Sequence, residues 1–186
     1  MKCKWDARFL ALAAHVAQWS KDPSTKVGAV LVGEDIREVA LGYNGFPPGI
    51  EDSPDRLSDR PTKLRLTLHA ERNVLDNARF SCRGSTLYAT HPPCAACALS
   101  IVSRGVARVH VSPPSPDFAT RWHSEIVHSK DLLREAGITS TFELLTEINK
   151  WPAGTRVKAR PGTDIWDIVL PDGTLSWAYP HEIRNV

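Results

Sequence analysis

The feature that most constrains this chain of 186 residues is a set of three metal-binding side chains, His69, Cys94 and Cys97, accompanied by the carboxylate of Glu71. One imidazole and two thiolates are the protein ligands that a catalytic zinc ion uses when its fourth position is left to water. A closed structural site would need a fourth protein ligand. Glu71 is suited instead to move protons to and from that water. The pattern predicts one catalytic zinc ion per chain, with Glu71 as the proton shuttle.

The spacing of the two cysteines predicts that both lie at the start of a helix. Residues three positions apart share one face of a helix, and Pro92-Pro93 directly precedes Cys94. Proline suits a helix start because the N–H group that it lacks would be unbonded there. The positive end of the helix dipole also favours thiolates. His69 likewise precedes a stretch with helical periodicity, so we expect two helix starts to face one ion.

Each half of this pattern has a simpler explanation when taken alone. A C-x-x-C pair can be a redox pair, and a single histidine before a helix is more often structural than a ligand. The complete order, H-x-E followed by P-C-x-x-C, is the known signature of zinc-dependent nucleobase deaminases. The combination therefore favours zinc-dependent deamination, with a non-catalytic zinc-stabilised binding module as a remaining alternative.

Length and composition indicate one good-sized core with a small appendage. Hydrophobic residues make up 42% and charged residues 24% of the chain, as in ordinary globular proteins. No apolar run approaches the ~20 residues that span a bilayer, so no membrane association is expected. The start of the sequence lacks the pattern of a signal peptide, so we expect a cytoplasmic location and free thiols at Cys3 and Cys82. The net charge of +2 is too small to argue for nucleic acid.

Strands and helices alternate over the first 145 residues, which predicts an α/β fold with helices on both faces of the sheet. The predicted strands cover residues 27–32, 36–41, 85–90, 106–111 and 138–145. The predicted helices cover residues 5–19, 69–78, 94–104 and 122–136.

Two loops precede the histidine. Gly42 to Gly49 follows a strand, and its glycines permit positive φ and close approach of the backbone to a ligand. Glu51 to Lys63 is charged and interrupted by prolines, which predicts an irregular surface segment.

The tail differs in character, so we divide the chain into a catalytic domain (1–148) and a small β-rich module (149–186). Residues 171–174 predict a hairpin turn between strands at 165–170 and 175–179, with a third strand at 156–160. The module falls below the ~40 residues at which isolated domains become stable, so we expect it to dock on the body or on a neighbouring subunit. Alternating Arg156, Lys158 and Arg160 make a nucleic-acid contact the less favoured alternative.

Residues 5–145 resemble the deoxycytidylate deaminase family within the cytidine deaminase-like superfamily. Besides the zinc pattern, the likeness includes Ser20 to Ala29, Gly42-Tyr43-Asn44-Gly45, Thr62-Lys63 and Asn73. The first two segments are much narrower signals than the zinc motif, and they indicate a free deoxynucleotide monophosphate rather than a nucleoside or a tRNA base. The resemblance implies a three-layer α/β/α fold with a five-stranded mixed sheet, followed here by the C-terminal β module.

The resemblance also implies hydrolysis of dCMP to dUMP and ammonia, with zinc held by His69, Cys94 and Cys97 and protons relayed by Glu71. The alternatives are deamination of a base within nucleic acid, or of another cytosine nucleotide such as dCTP or a 5-substituted dCMP. For substrate binding, the resemblance places Asn44 at the sugar and the turn from Ser24 to Lys26 near the substrate. The complete set of candidate substrate contacts is Ser24, Thr25, Lys26, Asn44, Ala70 and Pro93.

Assembly and regulation are also implied by the resemblance. Members of the family form hexamers and are commonly activated by dCTP and inhibited by dTTP, so a homo-oligomer and an effector site, with Mg²⁺ accompanying the nucleotide, are expected. The candidate effector residues are Gly42, Tyr43, Gly45 and Lys63, although Lys63 fits a solvated lysine equally well. Some relatives hold a second, structural zinc through cysteine and histidine before the catalytic histidine. Phe46 to Leu68 contains neither residue here, so we expect a single zinc ion.

Overall fold

The computed structural model describes residues 4–112, 114, 118, 121–140, 156–159, 166–169 and 175–178. Within these residues the helices are α1 (Lys4–Ala17), α2 (Pro54–Ser58), α3 (Arg60–Leu66), α4 (Ala70–Asn77), α5 (Ala95–Ser103) and α6 (His123–Glu135). The strands are β1 (Gly28–Val32), β2 (Val39–Tyr43), β3 (Thr86–Ala89), β4 (Arg108–Val111), β5 (Thr139–Ser140), β6 (Arg156–Ala159), β7 (Trp166–Val169) and β8 (Leu175–Ala178). No helix in this part of the chain is long and apolar enough to cross a bilayer.

Five strands form one mixed sheet in the order β2-β1-β3-β4-β5. Strand β1 is antiparallel to both of its neighbours, whereas β3, β4 and β5 run parallel. Parallel neighbours need a crossover connection, and α5 and α6 lie in the two crossovers. All five residues of β1 are buried, as expected for a central strand that is covered on both faces.

Helices cover both faces of this sheet. Successive side chains of a strand point to opposite faces, so β1 contributes to two apolar clusters. Val30 and Val32 pack with residues of α1, and Ala29 and Leu31 belong to a larger cluster that includes residues of α4, α5 and α6. The predicted three-layer α/β/α arrangement with a five-stranded mixed sheet is confirmed.

Strand β2 begins later than predicted because the turn before it is longer. The backbone N–H of Glu38 donates to the carbonyl of Asp35 at 2.9 Å, and Gly33 N donates to the carbonyl of Glu38 at 2.8 Å. Asp35 also accepts a hydrogen bond from the backbone of Arg37, which stabilises the turn locally. The strand therefore runs over Val39–Tyr43, and Gly42 and Tyr43, which we predicted in a loop, are strand residues.

Gly42 allows close packing between β2 and α4. A Cβ atom at this position would lie 2.4 Å from the backbone nitrogen of Val74 and 2.8 Å from the carbonyl oxygen of Ala70. These neighbours are backbone atoms of a helix, so they cannot rotate away as a side chain can. The sequence indicated a close approach of the backbone to a ligand at this glycine. In the structure, the backbone at Gly42 instead approaches helix α4.

We expect Gly42→Ala to destabilise the fold by roughly 1–3 kcal/mol, as overpacking in a well-packed region does. Gly45→Ala is the matched control, because a Cβ there would lie 3.7 Å from its nearest neighbour, the Tyr43 ring. Urea unfolding of both variants measures the difference. Equal free energies of unfolding for the two would contradict this interpretation of Gly42.

The chain before His69 forms helices α2 and α3, so the prediction of an irregular segment from Glu51 to Lys63 was wrong. Asp59 precedes α3 and accepts a hydrogen bond from the backbone of Thr62 at 3.0 Å, and Pro61 occupies the first turn. An acidic N-cap followed by proline is a local helix-start signal, and it outweighs the charged composition of the segment. As a consequence α3 directs Lys63 inward.

In the tail, β6, β7 and β8 form a separate three-stranded antiparallel sheet. The pairing of β7 with β8 agrees with the predicted hairpin, although its turn at residues 171–174 lies outside the described residues. Of the predicted fifth strand, Thr139–Ser140 is observed and residues 141–145 also lie outside them. The division at residue 148 and the docking of the module remain predictions.

Candidate active site

The three predicted metal ligands come together where two helices begin. His69 precedes the first residue of α4, Cys94 precedes the first residue of α5, and Cys97 lies in the first turn of α5. The Nδ1 atom of His69 lies 3.5 Å from the Cys94 Sγ and 3.4 Å from the Cys97 Sγ. Metal–ligand bonds of ~2.0–2.3 Å at a tetrahedral centre place ligand atoms about 3.5 Å apart. The imidazole and the two thiols therefore fit a zinc ion.

The electrostatics of the two thiols differ. The pKa of Cys94 is lowered to about 4 because Cys97 donates a hydrogen bond to it and His69 lies beside it. The pKa of Cys97 is raised, since this thiol is the donor to Cys94 and is buried. The hydrogen bond with Cys94 raises the pKa of His69. A divalent cation stabilises both thiolates, so metal binding would release protons from this cluster.

Glu71 lies in the first turn of α4, beside the ligands, and is only 4% exposed. Its Oε2 atom lies 3.7 Å from the Cys97 Sγ. Burial raises the pKa of this carboxyl to about 7. A carboxyl group with a pKa near neutrality can both accept a proton and return it, which is the property that general acid–base catalysis requires.

The cluster opens into a cavity of about 350 Å³. This volume is within the range of ~300–1,000 Å³ typical of small-molecule sites. His69, Glu71 and Cys94 line the cavity. The other lining residues come from the turn before β1 (Asp22, Ser24, Thr25 and Val27), from Asn44, Thr67 and Ala70, from helix α3, from residues 91–93, and from Phe118, Arg121, Trp122 and helix α6. A molecule bound in this cavity would therefore lie next to the predicted metal ligands His69 and Cys94 and next to the Glu71 carboxylate, as a hydrolytic site requires.

Most of the predicted substrate contacts line this cavity. Lys26 is exposed and does not line it, because its side chain leaves the turn on the solvent side. The five that line it are Ser24, Thr25, Asn44, Ala70 and Pro93.

The amide of Asn44 connects β2 to the turn that precedes β1. Its Oδ1 accepts a hydrogen bond from the backbone of Val27 at 2.7 Å, and its Nδ2 donates to the carbonyl of Thr25 at 2.9 Å. These backbone partners fix which way the amide faces. Each amide atom keeps one further hydrogen-bonding position, so the contact with the sugar remains a prediction.

The four candidate effector residues do not form one group. Gly42, Tyr43 and Gly45 do not line the cavity, whereas Lys63 lines it and is 7% exposed. The interpretation of Lys63 as a solvated lysine was therefore wrong, because α3 turns this side chain into the protein. Its Nζ lies 2.9 Å from Asp22 Oδ1.

Asp22 is a buried partner that the sequence did not identify. Burial alone would raise the pKa of Asp22, but hydrogen bonds from Lys63 and from the backbone of Ser24 and Thr25 outweigh it, so the pKa is lowered. Asp22 therefore stays ionised and keeps its charge opposite Lys63 at neutral pH.

Further cavity residues were missed. The Oε2 atom of Glu125 in α6 accepts a hydrogen bond from the backbone of Ala95 at 3.1 Å and so contacts the start of α5. The His91 ring lies 4.4 Å from the Phe118 ring, and burial lowers the pKa of this histidine. His91 could have been suspected because it directly precedes Pro92-Pro93. No local signal identifies Glu125, which lies 30 residues from its partner.

Comparison with known proteins gives consistent matches. The family model for the cytidine and deoxycytidylate deaminase zinc-binding region matches residues 3–112. An uncharacterized deaminase from the luxG 3' region of Aliivibrio fischeri is 40% identical over 142 residues, which cover 76% of this chain and 95% of that protein. Human deoxycytidylate deaminase is 36% identical over 112 residues, covering 57% of this chain and 63% of the human protein.

Among solved structures, the dCMP deaminase from the cyanophage S-TIM5 in complex with dCMP and dUMP matches with a TM-score of 0.59 and 28% identity. The match covers 75% of this chain and 97% of the cyanophage protein. The chain thus spans nearly the whole of the bacterial and phage proteins but about three fifths of the human deoxycytidylate deaminase.

Proposed function

This chain belongs to the family of cytidine and deoxycytidylate deaminases, and we propose that it hydrolyses dCMP to dUMP and ammonia. The observation that carries the proposal is the buried Glu71 carboxyl group 3.7 Å from a predicted zinc ligand, at the wall of a cavity large enough for a nucleotide. The likeness to the cyanophage enzyme with dCMP and dUMP supports the choice of substrate.

His69, Cys94 and Cys97 would hold the zinc ion, whose chemistry makes a nucleophile available from water at neutral pH. Glu71 accepts a proton from the attacking water as the water oxygen bonds to C4 of the cytosine. Glu71 delivers this proton to N3, then takes the proton of the new C4 hydroxyl group and passes it to the amino group. The C4–N bond breaks, ammonia leaves, and C4 keeps the oxygen as a carbonyl.

Basic side chains in the cavity wall support a phosphorylated substrate. Arg60, Lys63 and Arg121 line the cavity, and Lys63 is paired with Asp22. The guanidinium group of Arg60, on helix α3, is the kind of group that binds a phosphate. A neutral nucleoside would gain nothing from it.

We expect the purified zinc-loaded protein to prefer dCMP in a panel that also contains 5-methyl-dCMP, dCTP, deoxycytidine and a tRNA anticodon stem. Release of ammonia measures the rate for each compound. If only the tRNA reacts, the function is deamination of a base within nucleic acid. If no compound reacts while zinc is bound, the protein is a zinc-stabilised binding module.

Assembly, regulation and location are part of the same proposal. We propose a cytoplasmic homo-oligomer, a hexamer by family resemblance, that dCTP with Mg²⁺ activates and dTTP inhibits. Lys63 lines the substrate cavity, so a separate effector site would be built from other residues. Repeating the dCMP assay with each triphosphate tests regulation, since a sigmoidal rate curve made hyperbolic by dCTP is the expected result.

A further inference from the structure

Two ion pairs join the segment that contains α2 and α3 to the turn before β1. They start from adjacent residues of opposite charge, Lys21 and Asp22. Lys21 Nζ lies 2.8 Å from Asp52 Oδ2 in an exposed pair, with side chains 68% and 40% accessible. Lys63 Nζ lies 2.9 Å from Asp22 Oδ1 in a buried pair, with side chains 9% and 11% accessible. Only the buried pair lines the cavity.

The buried pair fixes the turn from Asp22 to Thr25. Asp22 Oδ1 accepts hydrogen bonds from the backbone nitrogens of Ser24 at 2.7 Å and Thr25 at 3.1 Å. The same Lys63 ammonium that pairs with Asp22 also donates to Ser24 Oγ at 2.9 Å. Both Ser24 and Thr25 line the cavity. Lys63 therefore holds a side chain of the cavity wall directly and the backbone of that wall through Asp22.

Stability alone does not account for a lysine at this position. Removing an ammonium and a carboxylate from water costs free energy that their attraction often fails to recover, and an apolar pair of similar volume is frequently as stable. What an apolar pair cannot supply is a directed hydrogen bond to the Ser24 hydroxyl. The geometry therefore indicates a role in placing the turn.

We propose that Lys63 is a positioning residue for deamination, whose ammonium holds Ser24 and, through Asp22, the turn 22–25 in the shape that receives the substrate. This inference rests on the proposed function. It assigns Lys63 to the substrate cavity in place of the effector site that the sequence indicated.

The test compares Lys63→Met with Asp52→Asn, which breaks the exposed pair between the same two segments. We expect Lys63→Met to lower kcat/KM for dCMP on the order of 10²-fold, as small displacements of positioning groups do. Most of the loss should be a rise in KM, because the turn is joined by hydrogen bonds to Ser20, Asn44 and Lys63 and supplies neither the proton shuttle nor a predicted zinc ligand. Zinc content should stay unchanged, and Asp52→Asn should keep the kinetics of the original protein.

Two more variants separate positioning from folding, since Lys63→Met leaves Asp22 buried and unpaired. Asp22→Asn/Lys63→Met removes both charges and should recover most of the lost thermal stability while keeping the raised KM. Ser24→Ala leaves the ion pair intact and should raise KM by a smaller factor. Amide hydrogen exchange at Ser24 and Thr25 should be faster in the double variant, and this measurement needs no substrate.

The proposal is overturned if the double variant regains stability together with the original KM and slow exchange at Ser24 and Thr25. It is also overturned if Asp52→Asn raises KM as much as Lys63→Met, since any attachment of the segment would then suffice. An original protein that does not react with dCMP refutes the proposed function, whereas exchange at the two amides still reports whether Lys63 holds the turn.

Discussion

Replacing Glu71 with glutamine should lower kcat for dCMP by ~10⁴-fold or more while one zinc ion per chain stays bound. General acid–base catalysis by one group is worth ~10²- to 10⁴-fold, and here one carboxylate serves several proton transfers. Glutamine has nearly the same shape, so the buried position beside Cys97 stays filled, but an amide cannot accept and return a proton. Steady-state kinetics and metal analysis of the same preparation measure both quantities.

Glu125 provides the comparison for this prediction, because its carboxylate also lines the cavity. Glu125→Gln retains an oxygen that can accept the hydrogen bond from Ala95, so the expected loss of activity is far smaller. Near-normal turnover of Glu71→Gln with zinc bound would remove Glu71 from the mechanism. Equal losses in the two variants would show that the cavity needs negative charge without a specific proton shuttle.

Removing one zinc ligand should abolish both metal binding and activity. We expect Cys97→Ala to lose stoichiometric zinc and to reduce kcat/KM to the background, because two remaining ligands do not make a catalytic zinc site. Chelation of the unmodified protein should lower its melting temperature, since bound metal stabilises the state that binds it. Added Zn²⁺ should restore both properties, whereas Mg²⁺ should not, because thiolates are poor ligands for that ion.

Cys82→Ala is the control for the zinc prediction. Cys82 is a buried cysteine of the same chain, and the predicted metal cluster among the described residues is formed by His69, Cys94 and Cys97. This variant should be less stable, because it leaves a small cavity, but it should keep one zinc ion per chain. Two zinc ions in the unmodified protein, or one retained by Cys97→Ala, would contradict the predicted ligand set.

The cluster of His69, Cys94 and Cys97, which could hold a metal ion, was predictable because its sequence pattern is local. Cys94 and Cys97 are one helical turn apart, the prolines before them mark the helix start, and Glu71 is two residues from His69. Three such short patterns are enough to indicate the metal and the acid–base group. Strands β1 and β3 were predictable because each is a short apolar run, which is also a local pattern. Both strands are fully buried in the centre of the sheet.

Contacts between distant parts of the chain determine which residues line the cavity. Lys63 pairs with Asp22 across 41 residues, and Glu125 contacts Ala95 across 30. Composition suggested a solvated Lys63, whereas the local cap at Asp59 starts a helix that turns this side chain inward. Gly42 also depends on a long-range contact, because only the packing of α4 against β2 shows why a side chain is excluded at this position.

By itself, the sequence determined the fold class and the predicted catalytic chemistry through short-range patterns. The tertiary structure decided how the cavity is lined, since long-range pairing depends on which surfaces folding brings together.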